Sequence, residues 1–355
     1  MKAQRNMMDG SKPTETNRPI HAPDGHPAIA QGRVGVLLVN LGTPDAPEAG
    51  AVRRYLREFL SDQRIVDLPR AIWLPVLYGI ILNVRPAATA RNYKKIWREE
   101  SDESPLRYYT RAQSDALAAQ FEGAVIDWAM RYGNPSIESR LDAMTAQGCT
   151  RILIVPLYPQ YSATTTASVT DAVFDAAKAM RWQPAIRVAP AFHDEPAYID
   201  ALAAETERHF NTLDWKPERV IMSFHGLPQR YFDAGDPYHC HCAKTARLLR
   251  EKMGWTDEFA PLAFQSKFGR EKWLEPATDA TIEELAQAGV KNLAVIMPGF
   301  VSDCIETLEE IDISGREIFM ATGGQNFTAV PCLNDTPEMT ALLTAITERE
   351  TAGWL

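Results

Sequence analysis

The sequence lacks several features that would have assigned its class at once. No run reaches the roughly 18–20 apolar residues of a membrane span, and the first residues, MKAQRNMMDGSK, contain no apolar signal core. Cysteine is scarce, five in 355 residues, an odd count that fits a reducing compartment better than a disulfide framework. There is no excess of positive charge: the net charge of −9 argues against nucleic acid as the main partner. Neither a P-loop nor a GxGxxG fingerprint is present, so no nucleotide is implied.

What is present is enough apolar residue, 45%, for two ordinary cores. Residues 1–33 hold Pro13, Pro19, Pro23 and Pro27 among polar residues and read as a mobile tail. Short β-branched runs follow at 34–40, 124–130, 151–157, 185–190, 219–224, 292–297 and 327–331. Helical patterns lie between them, and two, at 136–148 and 278–289, close on glycine. Strands alternating with helices predict βαβ units and mostly parallel sheets. A faint internal echo, two strands ending in Gly-x-Pro (Gly42/Pro44 and Gly226/Pro228), suggests two similar halves. The expected architecture is α/β: a Rossmann-like domain over 34–192 and a second over 193–335, each a mostly parallel sheet flanked by helices. They would share a cleft, and a final helix within 336–355 would pack back on the body.

Charge is uneven. Ten Lys/Arg against three Asp/Glu between Arg53 and Arg98 give a local +7, leaving −16 for the rest. Within this stretch AIWLPVLYGIILNV (71–84) is almost wholly apolar and, at 14 residues, too short to cross a bilayer. It reads equally as a core helix or as a greasy lip with a basic rim. The second reading suits a flat apolar guest bearing carboxylates, or an acidic membrane surface.

The chemistry concentrates in VIMSFHGLP (220–228) and PGFVSDCIETLEEI (298–311). A histidine at the carboxyl end of a buried parallel strand stands where ligands bind in such sheets. His225 is therefore more than a core residue. In the second segment Ser302 or Asp303 can cap a helix. Glu309 and Glu310 read as compensation of the helix dipole, while Asp303 and Glu306 can both project into the crevice. An imidazole plus a carboxylate can hold a divalent metal or act as a base and acid pair. The residues alone leave that choice open.

Taken together, VNLGTPDAP, LYPQYS, SFHGLPQRYFDAGDPY, FQSKFGREKWLEP and PGFVSDCIETLEEID closely resemble ferrochelatase, from about residue 34 to about 345. That resemblance implies insertion of ferrous iron into protoporphyrin IX, with Fe²⁺ as substrate. It places the essential histidine on His225 and the essential acid on Glu306, as iron ligands or proton carriers, with the carboxylates of Glu306, Asp303 and Glu310 leading protons away or handing in the metal. Pocket positions would be Leu41, Tyr93, Arg131, Tyr132, Trp273, Phe300 and Asp303. It also implies a cytosolic or membrane-peripheral protein. Alternatives are a chelatase for another tetrapyrrole such as coproporphyrin III, or a porphyrin- or haem-binding protein without catalysis. Some ferrochelatases carry a [2Fe–2S] cluster, for which Cys240, Cys242, Cys304 and Cys332 are the candidates. Ala163 stands where the animal-type pattern has cysteine and the cysteine-rich C-terminal tail is absent, so reduced thiols are the preferred reading.

Overall fold

Eight parallel strands make two four-stranded sheets in the computed structural model, which describes residues 32–269 and 271–355. The first sheet contains β1 (Arg33–Thr43), β2 (Val125–Gly133), β3 (Cys149–Pro156) and β4 (Ala185–Val188), ordered β2-β1-β3-β4. The second contains β5 (Arg219–His225), β6 (Leu262–Gln265), β7 (Asn292–Ile296) and β8 (Asn326–Ala329), ordered β6-β5-β7-β8. The two orders are the same pattern repeated, which is what the Gly-x-Pro echo anticipated. Most of the expected tail, residues 1–31, lies outside the described residues. Arg33 belongs to β1, where its N–H donates to the Gly148 carbonyl at 3.1 Å.

Alternation along β1 shows how the sequence builds layers. Val36 and Leu38 join one core, while Leu37 and Val39 join the core on the other face, all with no exposed surface. Along β5, Val220, Met222 and Phe224 enter the same core as Val36 and Leu38, and Ile221 points the opposite way. One continuous core thus underlies both sheets. Helices Pro196–Phe210, Tyr238–Met253 and Pro337–Glu350 contribute Tyr198, Leu249 and Leu343 to it. Each such side chain contributes about 1.5–3 kcal/mol by leaving water. The last helix ends on the first sheet, where Arg187 donates to the Glu350 carbonyl at 2.7 Å.

Two elements differ from the sequence reading. Strand β6 was not anticipated: four residues, LAFQ, following Pro261, are too few to show a period. The apolar run 71–84 is part of a longer helix, Arg70–Ile96, whose 27 residues meet the length and composition of a membrane span, contrary to the reading of the run as too short. Pro75 and Pro86 sit inside it, and a widened turn at Leu77–Ile81 separates the two halves. It lies along the protein rather than apart from it. Leu77, Leu82, Tyr93 and Ile96 pack with Val52, Tyr55 and Leu60 of helix Ala49–Ser61. Its other face leaves Ile72, Tyr78, Ile80 and Val84 exposed.

Candidate functional site

His225 is the last residue of β5 and is half-buried. The chain turns away after it because Gly226 can approach Gln265 closely. A Cβ at 226 would lie 2.6 Å from the Gln265 carbonyl oxygen and 3.1 Å from the Trp273 ring. Trp273 is buried against this glycine, next to His225 in the chain. The His225 Nδ1 is 2.6 Å from the Gly226 carbonyl oxygen. A carbonyl can only accept, so Nδ1 carries the proton, and in the neutral ring Nε2 holds the free lone pair.

Gln265 lies opposite His225 in the β5–β6 ladder. Its Nε2 donates to the Glu306 carbonyl at 2.8 Å and to Glu310 Oε2 at 3.3 Å, while its Oε1 accepts from Ser223 Oγ at 2.9 Å. Ser266 adds two donors to Glu310, N–H and Oγ–H, each at 2.6 Å. Burial lifts the Glu310 carboxyl above its ordinary value. The Ser266 hydrogen bond and the His225 charge pull it back, and the Glu306 carboxylate raises it again. His225, Glu306 and Glu310 are therefore one electrostatic group. Glu306 stands on a single turn, Ile305–Thr307, which opens into a π-helical stretch at Leu308–Gly315 that carries Glu310.

The acidic cluster differs from its sequence reading in three ways. The helix is capped by Cys304 and Thr307, not by Ser302 or Asp303. Glu310 is bound by Gln265 and Ser266, and Glu309 pairs with Lys95 of the long helix at 2.8 Å, so neither serves mainly to offset the dipole. Asp303 does not project into the crevice with Glu306. It is buried, and its two oxygens accept from Thr307 Oγ1 (3.0 Å), Cys332 N (3.3 Å) and Asn334 Nδ2 (2.7 Å).

Of the expected pocket residues, Leu41 and Tyr93 line a narrow recess with Thr43, Tyr55 and Glu306. Burial first, then the Glu306 charge, holds the Tyr93 hydroxyl far above its usual range. Trp273 packs against Phe268 with the rings tilted (centroids 4.8 Å, planes at 58°), and the Arg85 guanidinium of the long helix lies 5.5 Å from the Phe268 ring centroid. The lip thus reaches the loop beside His225. Phe300 goes elsewhere, packing with Val295 and Met297 on the outer layer of the second sheet. Arg131 and Tyr132 are held by Asp62, whose Oδ2 accepts from Arg131 Nη2 at 2.6 Å and from the Tyr132 hydroxyl at 2.7 Å. Tyr132 has no exposed surface and is core rather than pocket wall. Arg131 borders an open cleft of about 640 Å³, together with Tyr55, Tyr78, Arg54 and Arg57. That size suits a small-molecule site. Arg54 and Arg57 were missed individually; the local +7 was their only signal.

Among the described residues no three His, Cys, Asp or Glu side chains converge as a ready metal site. Cys240 is exposed, whereas Cys242, Cys304 and Cys332 are buried and their thiols are pushed well up by that burial. The group at His225 combines an imidazole lone pair with neighbouring carboxyls, residue types that exchange protons.

The comparisons with known proteins agree in direction. The family model described as Ferrochelatase matches residues 33–351. A ferrochelatase of Rhizobium meliloti (strain 1021) is 56% identical over 333 residues, covering 93% of this chain and 98% of the relative. One of Agrobacterium fabrum (strain C58 / ATCC 33970) is 55% identical over 336 residues, covering 94% and 98%. Among solved structures, SirB from Bacillus subtilis with Fe³⁺ superposes with a TM-score of 0.57 at 13% identity, covering 90% of this chain and 97% of that one. The sirohydrochlorin chelatase SirB of the subspecies spizizenii, in complex with cobalt, gives 0.52 at 12%, covering 90% and 95%. At such identity these two structures speak for the chelatase-like α/β fold alone. With the family model spanning both sheets and relatives of matching length more than half identical, the chain belongs to the ferrochelatase family.

Proposed function

We propose that the protein inserts Fe²⁺ into protoporphyrin IX and releases the two pyrrole protons, giving protohaem. The observation that supports this most is His225. Its Nε2 lone pair is free, and Glu306 and Glu310 are held beside it through Gln265. A free porphyrin is flat and carries two N–H groups, so a metal enters only when the ring is bent and deprotonated. His225 Nε2 accepts a pyrrole proton. Glu310, lifted by its burial, keeps a proton at a pH where a free carboxyl has lost it, which suits a relay away from the ring. Glu306 stands between the recess at Tyr93 and this relay, as a proton carrier or a ligand that hands in iron.

Protoporphyrin is favoured over the more acidic coproporphyrin III by the exposed Ile72, Ile80 and Val84 on a helix that also bears Arg70, Arg85 and Arg91. Such a face settles on an anionic bilayer, where an apolar porphyrin partitions. The protein is accordingly read as cytoplasmic and membrane-peripheral, without nucleotide or nucleic-acid partners. The buried thiols favour reduced cysteines over a [2Fe–2S] cluster, and a visible spectrum of freshly purified protein checks this.

The test is anaerobic incubation with Fe²⁺, Zn²⁺ or Co²⁺ and either porphyrin, followed by the porphyrin absorption bands. Faster conversion of protoporphyrin is expected. Binding of porphyrin without conversion by any metal would leave a porphyrin-binding protein, and preference for coproporphyrin III would move the substrate.

A further inference from the structure

Asn334 is one of three non-glycine residues with left-handed backbone among the described residues, at φ +48°. It lies just after β8, on a different strand connection from Glu306, yet it is tied closely to the turn that carries Glu306. Its Nδ2 donates to Asp303 Oδ2 at 2.7 Å and its Oδ1 accepts from the Asp303 N–H at 2.8 Å. Its own N–H donates to the Val301 carbonyl at 2.9 Å. Asp303 Oδ1 in turn accepts from Thr307 Oγ1, and that hydroxyl accepts from Cys304 N–H at 3.0 Å. The chain of bonds runs Asn334–Asp303–Thr307–Cys304 and ties together the residues that flank Glu306 in the chain. A third element joins it: Gln113, on helix Pro105–Ala118 of the first domain, donates to the Asn334 carbonyl at 2.6 Å and to Ser302 Oγ at 3.0 Å. Gln113, Ser302, Asp303, Thr307 and Asn334 are all buried.

Resting on the reading above, we propose that Asn334 is a positioning residue for Glu306, and that Gln113 carries this positioning to the first domain. The physical reason is where Glu306 stands. It lies in the first turn of the helical run 305–321, where the leading N–H groups have no partner within the helix, so groups outside the helix must hold that turn. The preceding loop, 298–304, offers no regular pairing of its own. The side chain of Asn334 therefore supplies what a strand would, an acceptor and a donor aimed at one residue. Asparagine suits the position twice, by tolerating left-handed backbone and by presenting both hydrogen-bonding roles. Fixing a reacting carboxyl this way from a neighbouring residue is worth more to turnover than to binding of the flat ring.

Asn334→Gly separates these roles, since glycine keeps the left-handed backbone and deletes only the amide. Its metal insertion rate should fall at least about tenfold and its KM for metal should rise, while porphyrin Kd stays within about twofold. Asn334→Asp, which sets a carboxylate oxygen against Asp303, should be at least as impaired. Turnover of Asn334→Gly within about twofold of wild type would overturn the inference. So would a loss in which porphyrin affinity and melting temperature fall together with turnover, the signature of a merely structural residue. A wild-type protein that inserts no metal would instead overturn the catalytic reading, and this inference with it.

Discussion

Gln265 and His225 face each other across the β5–β6 ladder, and the Gln265 amide extends from that position to the Glu306 carbonyl at 2.8 Å. One glutamine thus links the strand that ends in the imidazole to the turn that carries the carboxylate. The relationship gives His225 and Glu306 separable roles.

His225→Ala is expected to abolish metal insertion while porphyrin binding persists, because the walls around Trp273 and Tyr93 stay in place. Glu306→Gln should also impair insertion, by roughly 100-fold or more, with little change in melting temperature, since Glu306 itself is tethered through its backbone. Near-native turnover in the histidine variant would remove it as the proton acceptor. A large loss of stability in the glutamine variant would make Glu306 structural.

Asp62 gathers Arg131, Tyr132 and Ser168 on one carboxylate oxygen. Burial alone would raise that carboxyl, but hydrogen bonds from Ser168 and Tyr132, with the nearby Arg131 charge, hold it below its ordinary value. Asp62→Ala leaves a largely buried guanidinium without its partner, so about 3–5 kcal/mol should be lost in urea unfolding. Replacing both members, Asp62→Leu with Arg131→Met, should recover most of it. If the single variant loses under about 1 kcal/mol, the pair behaves as a surface ion pair.

His193 stacks on His241 with centroids 3.6 Å apart and planes within 4°. Burial, then the neighbouring His241, lowers the His193 value from 6.5 to about 4. Asp194, Lys244 and Asp236 also bear on the pair. A folded-state value below the unfolded one means that the unfolded chain takes up the proton first. The stability is complete above pH 6.5 and is lost as the pH falls towards about 4. His193→Gln should flatten this acid limb in melting curves recorded across that window, and an unchanged slope would contradict the assignment.

Ile80 and Val84 are 57% and 69% exposed on the long helix. Ile80→Glu combined with Val84→Glu should reduce co-sedimentation with anionic lipid vesicles by about tenfold or more. Equal sedimentation of both proteins would show that another surface, or none, meets the membrane.

Much of this was legible because burial on both faces writes a plain pattern. Continuous β-branched runs such as VGVLLVN and RVIMSF give seven of the eight strands. Short motifs at strand ends, HGLP above all, place His225 at the carboxyl end of its strand. Elements stabilised by distant partners left weaker signals. Strand β6 is four residues held by β5. The helix over 70–96 continues through Pro75 and Pro86 because its inner face packs on Tyr55 and Leu60. Asp303 has the same local spacing to Glu306 whether it faces water or Asn334. Tyr132 and Phe300 are aromatic side chains whose destination, core or pocket, depends on which layer of the sheet they meet.

The sequence by itself therefore determined the two α/β halves and the family, and singled out His225 and Glu306 as the candidate pair. Those follow from local periodicity and from motifs that are contiguous in the chain. Only the tertiary structure decided that Gln265 and Ser266 hold Glu310 beside that pair, that Asp303 is locked to Asn334, and that Arg131 is already paired with Asp62. Hydrogen bonds and ion pairs act over about 3 Å in space, between residues that the chain separates by tens of positions, so no local pattern records them.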